Sequence, residues 1–395
     1  MGYDPLTRWS DFGAVRTATD SAAASTVLHT GRRTTNGRLG LSWDGESPFR
    51  SIAAIAREEG MATGAVTSVQ FSHATPAGVA VQSAARSAYA DIAQQMLDGR
   101  LDVVMGAGHP LHDDDGRTVS ADAVPAEAWE WAGGRAYFEQ VRAARRTAGG
   151  LAYIEDRAGF EALARSAEGA PERVFGLAPV RRTLQMHRAA GQGADTASGA
   201  PMVQSSPELD VMARGALNLL DRNPNGFFVM IEGGAVDWAN EANLGERMLE
   251  EHAAFNRAVA AVVDWVETHS SWDETLLVIT SDHESGMIWG PGTWTDVNGD
   301  RKWDAGDRFN SFELPVNRGQ GQVPQMLYGS GGHTSELVPL FALGAGSERF
   351  RQSELRDERA AGLWGAAWGW TGGYVDNTAI FEVMREALEA GDARP

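Results

Sequence analysis

The sequence predicts an α/β protein, a three-layer α/β/α sandwich around a mostly parallel central sheet, formed as a single domain over 1–395. Three observations carry this. Short apolar, β-favouring runs alternate with helix-like stretches, which indicates parallel strands covered on both faces. Two of those runs, 226–231 and 275–280, pass directly into Glu232 and into Asp282 and His283. Ligands of open α/β sheets bind outside the carboxyl ends of the strands, so these residues are candidates for one site. Finally, 395 residues suffice to bury a large core, and no internal repeat interrupts them.

The elements follow in order. Residues 19–26, Thr-Asp-Ser-Ala-Ala-Ala-Ser-Thr, place a capping Asp and Ser before helix-favouring alanines. Ser21 would stand at a helix N-terminus, where free N–H groups and the dipole favour anions. The stretch suits a nucleophile attacking phosphate, and equally an ordinary capped helix. Residues 51–59 read as a helix ended by Gly60, and 63–69 as a strand. The loop 70–75 carries His73 and Thr75 before Pro76. A helix is expected over 77–97, a buried strand over 102–105, a charged turn at 113–116, and helices over 126–144 and 159–167. The Gly/Ala/Ser stretch 191–200 reads as a long surface loop. A helix over 207–220 precedes the strand 226–231, which runs into Glu232-Gly233-Gly234-Ala235-Val236-Asp237. In 243–267, Leu244, Met248, Phe255, Val262 and Val266 recur near helical spacing.

Composition narrows the chemistry. Acidic residues number 53 against 34 basic ones, a formal net charge of −19, which argues against nucleic-acid binding. An anionic ligand would need metals or a local cationic site. No apolar run approaches the ~20 residues of a membrane helix. The chain has no cysteine, so any metal must be held by His, Asp, Glu or hydroxyl groups. Lys302 is the only lysine.

Taken together, the motifs resemble those of the bacterial alkaline phosphatase family, along nearly the whole chain and in the family's order. They are Asp20-Ser21-Ala22, followed by Thr30-Gly31 and Thr35-Asn36-Gly37; His73-Ala74-Thr75-Pro76 with Arg86 thirteen residues on from His73; Glu232-Gly233-Gly234 with Asp237; Asp282-His283; and Gly332-His333-Thr334. The resemblance implies hydrolysis of phosphate monoesters through a covalent phosphoserine on Ser21, assisted by two zinc ions and one magnesium ion. Zinc at Asp282 and His283 would bind Ser21 as alkoxide. Zinc at Asp237 and His333 would carry the water that releases phosphate, a two-metal arrangement suited to in-line displacement. Arg86 would clamp phosphate with its planar fork. Thr75 and Glu232 would hold magnesium. His73 would lie behind the third metal rather than bind it, and Trp238 would be wall or packing. The resemblance further implies small phosphorylated substrates, a periplasmic or secreted location, and a homodimer, which is common in the family.

Two departures stand out. The family begins with a strand ending in Asp-Gly-Met-Gly, whose Asp bridges two metals. Nothing before Ser21 supplies it, Asp4 and Asp11 being poor substitutes, so the chain reads as N-terminally truncated and without a visible signal peptide. The family's zinc-binding His four residues after Asp237 is Glu241 here, which can still bind zinc. A related sulfatase or phosphodiesterase, or a non-catalytic metal-binding relative, remains the alternative; Arg86 with Asp-Ser-Ala favours monoesters.

An insert spans 287–325. Within it, Asp296, Asn298, Asp300, Asp304 and Asp307 stand at positions one, three, five, nine and twelve of a loop, with Lys302 at position seven. That resembles an EF-hand or dockerin calcium loop, although Arg301 replaces the usual Gly and Asp307 the usual Glu. A plain acidic surface loop has the same composition.

Overall fold

The computed structural model describes residues 18–304, 306–311, 313–320, 322–358, 361–362 and 370–391. Asp4 and Asp11 lie outside them.

A five-stranded parallel sheet forms the centre. Its strands are β1 Ala62–Gln70, β2 Val103–Ala107, β3 Ala152–Ile154, β4 Val174–Leu177 and β5 Phe227–Glu232, in the order β3-β4-β2-β1-β5. All nine residues of β1 are buried. Alternate side chains point to opposite faces of a strand. Ala65, Val104 and Phe175 accordingly join one core and Val66, Val103 and Val174 the other. The first core receives residues of α1 Ser21–Thr30 and α2 Ile52–Glu58, of α3 Tyr89–Met96 (Ile92, Met96) and of α4 Arg135–Ala144 (Phe138, Val141). The second receives α5 Arg157–Arg165 (Phe160, Leu163) and α6 Leu209–Leu220 (Met212, Ala216). Helices therefore cover both faces, as the alternating pattern predicts. β5 is followed directly by α7 Ala235–Glu241 and α8 Gly245–His269. None of the described helices is long and apolar enough to cross a membrane.

Several expectations change. The helix expected over 77–97 exists only as α3, beginning at Tyr89. Before it, Ser83 pairs with Leu39, and the Arg86 N–H donates to the Gly37 carbonyl at 2.7 Å, so Arg86 sits on a loop. The helix expected over 126–144 is broken by Gly133 and Gly134, both at φ near +90°, a conformation that glycine adopts freely. β3 and β4 were not anticipated, being only three and four residues long. β6 Leu276–Ile279, expected in the parallel sheet, instead pairs antiparallel with a later strand, Phe341–Gly344.

Between them lie short ladders. β7 Glu284–Ser285 pairs with His333–Thr334, placing Ser285 opposite His333. Within the 287–325 insert Trp294–Thr295 pairs with Arg308–Phe309, and Ile288–Trp289 pairs with Leu327–Tyr328 just beyond the insert. Met287, Trp289, Trp294 and Leu327 form a small core for these ladders.

Candidate active site

Ser21 is the first residue of α1 and is 4% exposed. Asp20 caps the helix: Oδ1 accepts the Ala23 N–H at 3.0 Å, and Oδ2 accepts the Gly37 N–H at 3.0 Å. Asn36 accepts the Asp20 N–H and donates to the Ala18 carbonyl. The Thr35-Asn36-Gly37 segment thus ties down the backbone on which the serine stands.

Three histidine and carboxylate segments converge on it. His283 Nε2 lies 3.0 Å from Ser21 Oγ and 3.2 Å from Asp282 Oδ2. The β7 ladder stacks the His283 and His333 rings 3.5 Å apart, centroid to centroid. His333 Nε2 faces Glu241 Oε1 at 3.3 Å and Asp237 Oδ1 at 3.7 Å. Asp237 and Glu241 stand four apart on α7, hence on one helix face. His333 Nδ1 donates to the Thr19 carbonyl at 3.1 Å. That bond engages Nδ1 and turns Nε2 toward Asp237 and Glu241.

The electrostatics fit a cation site. Burial opposes charge on His333, yet Asp237 and Glu241 push it up to about 10. Burial opposes charge on Asp237 too, but His333 and His283 hold its carboxyl below the usual range. Burial pushes Asp282 up. Asp237 Oδ1, Asp282 Oδ2 and His283 Nδ1 are buried and make no hydrogen bond. Asp237, His283 and His333 each offer a ligand atom within 4.8 Å of the others. Two imidazoles and a carboxylate are a donor set that zinc accepts. The sequence assigned His283 to one zinc and Asp237 with His333 to the other; the structure gathers all three into one cluster.

Arg86 is held by both ends of its fork. Nη1 donates to Asp20 Oδ2 at 3.0 Å and Nη2 to His73 Nε2 at 3.1 Å. Burial, with Arg86 beside it, pulls His73 down to about 3, so it is a neutral acceptor. The His73 ring meets Trp238 edge to face at 5.3 Å. Trp238 also meets His187 and packs beside Val69 and Met186.

Glu232 ends β5 opposite Thr67 of β1. Burial pushes its carboxyl up to about 7, against the hydroxyls of Thr67 and Thr75 that bond it. A side chain at Gly234 would come within 2.9 Å of that carboxylate, which accounts for a glycine there. Thr67 was not singled out from the sequence, because its role follows from strand register alone. Neither was Ser285, whose hydroxyl bonds Asp237.

An open cleft of about 820 Å³ leads to His333 and Glu241, walled by Asn243, Lys302, Trp303 and Tyr328 and by the backbone of 329–332. In the acidic loop, Asp296 Oδ1 accepts Gly299 N–H and Oδ2 accepts Arg301 N–H, at 2.7 and 2.8 Å. Asp300 accepts Lys302 N–H, Asp307 accepts Val297 and Asp304 N–H, and Asn298 donates to Asp304. Arg301 adopts φ +65°, the left-handed form that the usual glycine supplies.

The alkaline phosphatase family profile matches residues 7–336. The chain is 30% identical over 412 residues to streptomycin-6-phosphate phosphatase of Streptomyces griseus, covering 94% of this chain and 78% of that protein. Among solved structures, the cold-active alkaline phosphatase of a psychrophilic Shewanella shares the fold with a TM-score of 0.62 at 21% identity, over 95% of this chain and 87% of that one. A His 135 Glu mutant of TAB5 alkaline phosphatase with magnesium bound in its M3 site matches with a TM-score of 0.58 at 21% identity, over 94% and 84%.

Proposed function

The chain belongs to the alkaline phosphatase family, and on that premise we propose that it hydrolyses small phosphate monoesters through a phosphoserine on Ser21. The observation that carries this reading is the buried Ser21 Oγ at the N-terminus of α1, 3.0 Å from His283, beside the Asp237–His333 cluster. The α1 N–H groups favour the phosphoryl group there. Arg86, steadied by Asp20 and His73, is the cation that selects a dianionic monoester. Ser21 gives up its hydroxyl proton to solvent as the Oγ–phosphorus bond forms, the ester P–O bond breaks and the alcohol leaves with a proton from solvent. Water then attacks phosphorus, the Oγ–phosphorus bond breaks, Ser21 regains its proton and inorganic phosphate departs.

In this reading Asp237, Glu241 and His333 would hold one zinc, Asp282 and His283 the other, and Glu232 and Thr75 magnesium, residue types that these ions accept. Bound there, these ions would neutralise charge in the displacement and ease ionisation of the serine and of water. A calcium ion within 296–307 is a further part of this reading, supported by Asp296, Asn298 and Asp300, whose side-chain oxygens accept N–H groups of the same loop.

The test is acid quenching of turnover with p-nitrophenyl phosphate, followed by mass mapping. Added phosphate mass on the Ser21 peptide supports the reading. Turnover with no serine phosphorylation at any time point overturns it.

A further inference from the structure

The cleft beside His333 is far larger than a phosphate group requires, and the 287–325 insert contributes to its lining. Lys302 and Trp303 stand in that lining. Their backbone is fixed to the cleft floor: Tyr328 N–H donates to the Arg301 carbonyl at 2.8 Å, and Trp303 N–H to the Tyr328 carbonyl at 2.9 Å. Trp303 is half-buried, edge-on to Trp294 at 5.7 Å. The Lys302 side chain is exposed and forms no ion pair among the described residues. The neighbouring carboxylates are turned to backbone N–H groups within their own loop, Asp300 to Lys302 N–H itself. The wall thus sets the Trp303 indole and the exposed Lys302 ammonium side by side in the chain, in the same cleft as His333 and Glu241.

We propose that Lys302 and Trp303 select the leaving group: phosphate monoesters with an apolar or ring-bearing stem that ends in a second anion, a carboxylate or phosphate. The stem lies against Trp303 and the anion pairs with Lys302. This rests on the phosphomonoesterase reading of the site, and binding separates the two. The probes are an alkyl phosphonate and its ω-carboxyalkyl counterpart of equal length, titrated calorimetrically into the metal-loaded protein. The parent should prefer the carboxylate form. Lys302→Gln should reduce that preference by about two- to five-fold, the range of an exposed ion pair, and Lys302→Arg should keep it. Since Lys302 is the only lysine, succinylating the folded protein should reverse the preference. The succinylated Lys302→Arg protein controls for the α-amino group. Equal ratios in parent and Lys302→Gln overturn the inference even if p-nitrophenyl phosphate is hydrolysed. A preference that tracks Lys302 without any ester hydrolysis keeps Lys302 as the anion-reading residue of the cleft but overturns its leaving-group role together with the enzymatic reading.

Discussion

Ser21 Oγ lies 3.0 Å from His283 Nε2, although 262 residues separate the two in the chain. The contact joins the start of a helix to a loop just past β6. Replacing Ser21 with alanine removes the oxygen proposed to attack phosphorus and leaves the helix cap, which Asp20 makes, in place. Turnover of p-nitrophenyl phosphate should fall on the order of a thousand-fold or more, with an unchanged melting temperature. Near-parental turnover in Ser21→Ala would show the nucleophile to lie elsewhere.

Arg86 and Asp20 should behave as a coupled pair. Arg86→Ala should lower kcat/KM by roughly ten- to a thousand-fold, about 1.4–4 kcal/mol, and weaken inhibition by inorganic phosphate. Asp20→Ala should also cost about 1 kcal/mol of stability through the lost cap. An Arg86→Ala protein with the parental phosphate inhibition constant contradicts the assignment.

Glu241 adds a negative charge where imidazole is the family's usual ligand. A bound zinc should be a weaker Lewis acid there, its water ionising at higher pH. Glu241→His should raise zinc affinity and move the rising limb of the rate profile, where the bound water ionises, to lower pH. Glu241→Ala should lower metal occupancy, read by chelator competition with metal counted per chain. If Glu241→Ala binds zinc as tightly as the parent, the residue is no ligand.

The 296–307 loop makes a calcium-specific prediction. In protein stripped of metal, calcium alone should raise the melting temperature, by mass action about 2.7 kcal/mol at a hundredfold excess over Kd. Asp296→Ala should abolish the response, since Asp296 holds both Gly299 and Arg301. Identical melting with and without calcium removes the loop as a site.

Glu251 should make stability depend on pH. It is 4% exposed, its Oε1 has no hydrogen bond, and burial pushes its carboxyl up to about 7. Below the unfolded-state pKa both states are protonated and the group contributes nothing. Between that value and about 7 the native state keeps a proton that the unfolded state releases, so stability falls as pH rises; above about 7 the penalty is constant. The total is at most roughly 3 kcal/mol. Glu251→Gln should flatten the stability profile between pH 5 and 7, measured by urea melts. An unaltered slope refutes this.

The sequence by itself determined the layer order and the chemistry on offer. Alternating strand and helix signals are local, and so is the position of Glu232, Asp282 and His283 just past apolar strands. Tertiary structure decided what those signals could not. The β7 ladder sets His333 on His283, a pairing across 50 residues that no local period encodes. Strand register put Thr67 beside Glu232. The pairing of Leu39 with Ser83 overrode helix propensity before Tyr89 and left Arg86 on a loop, between Asp20 and His73. Lys302 reads in sequence as a member of an acidic loop. Only the hydrogen bonds from that loop to Tyr328 carry it into the cleft wall, because a long-range backbone contact, not composition, fixes which surface a loop residue faces.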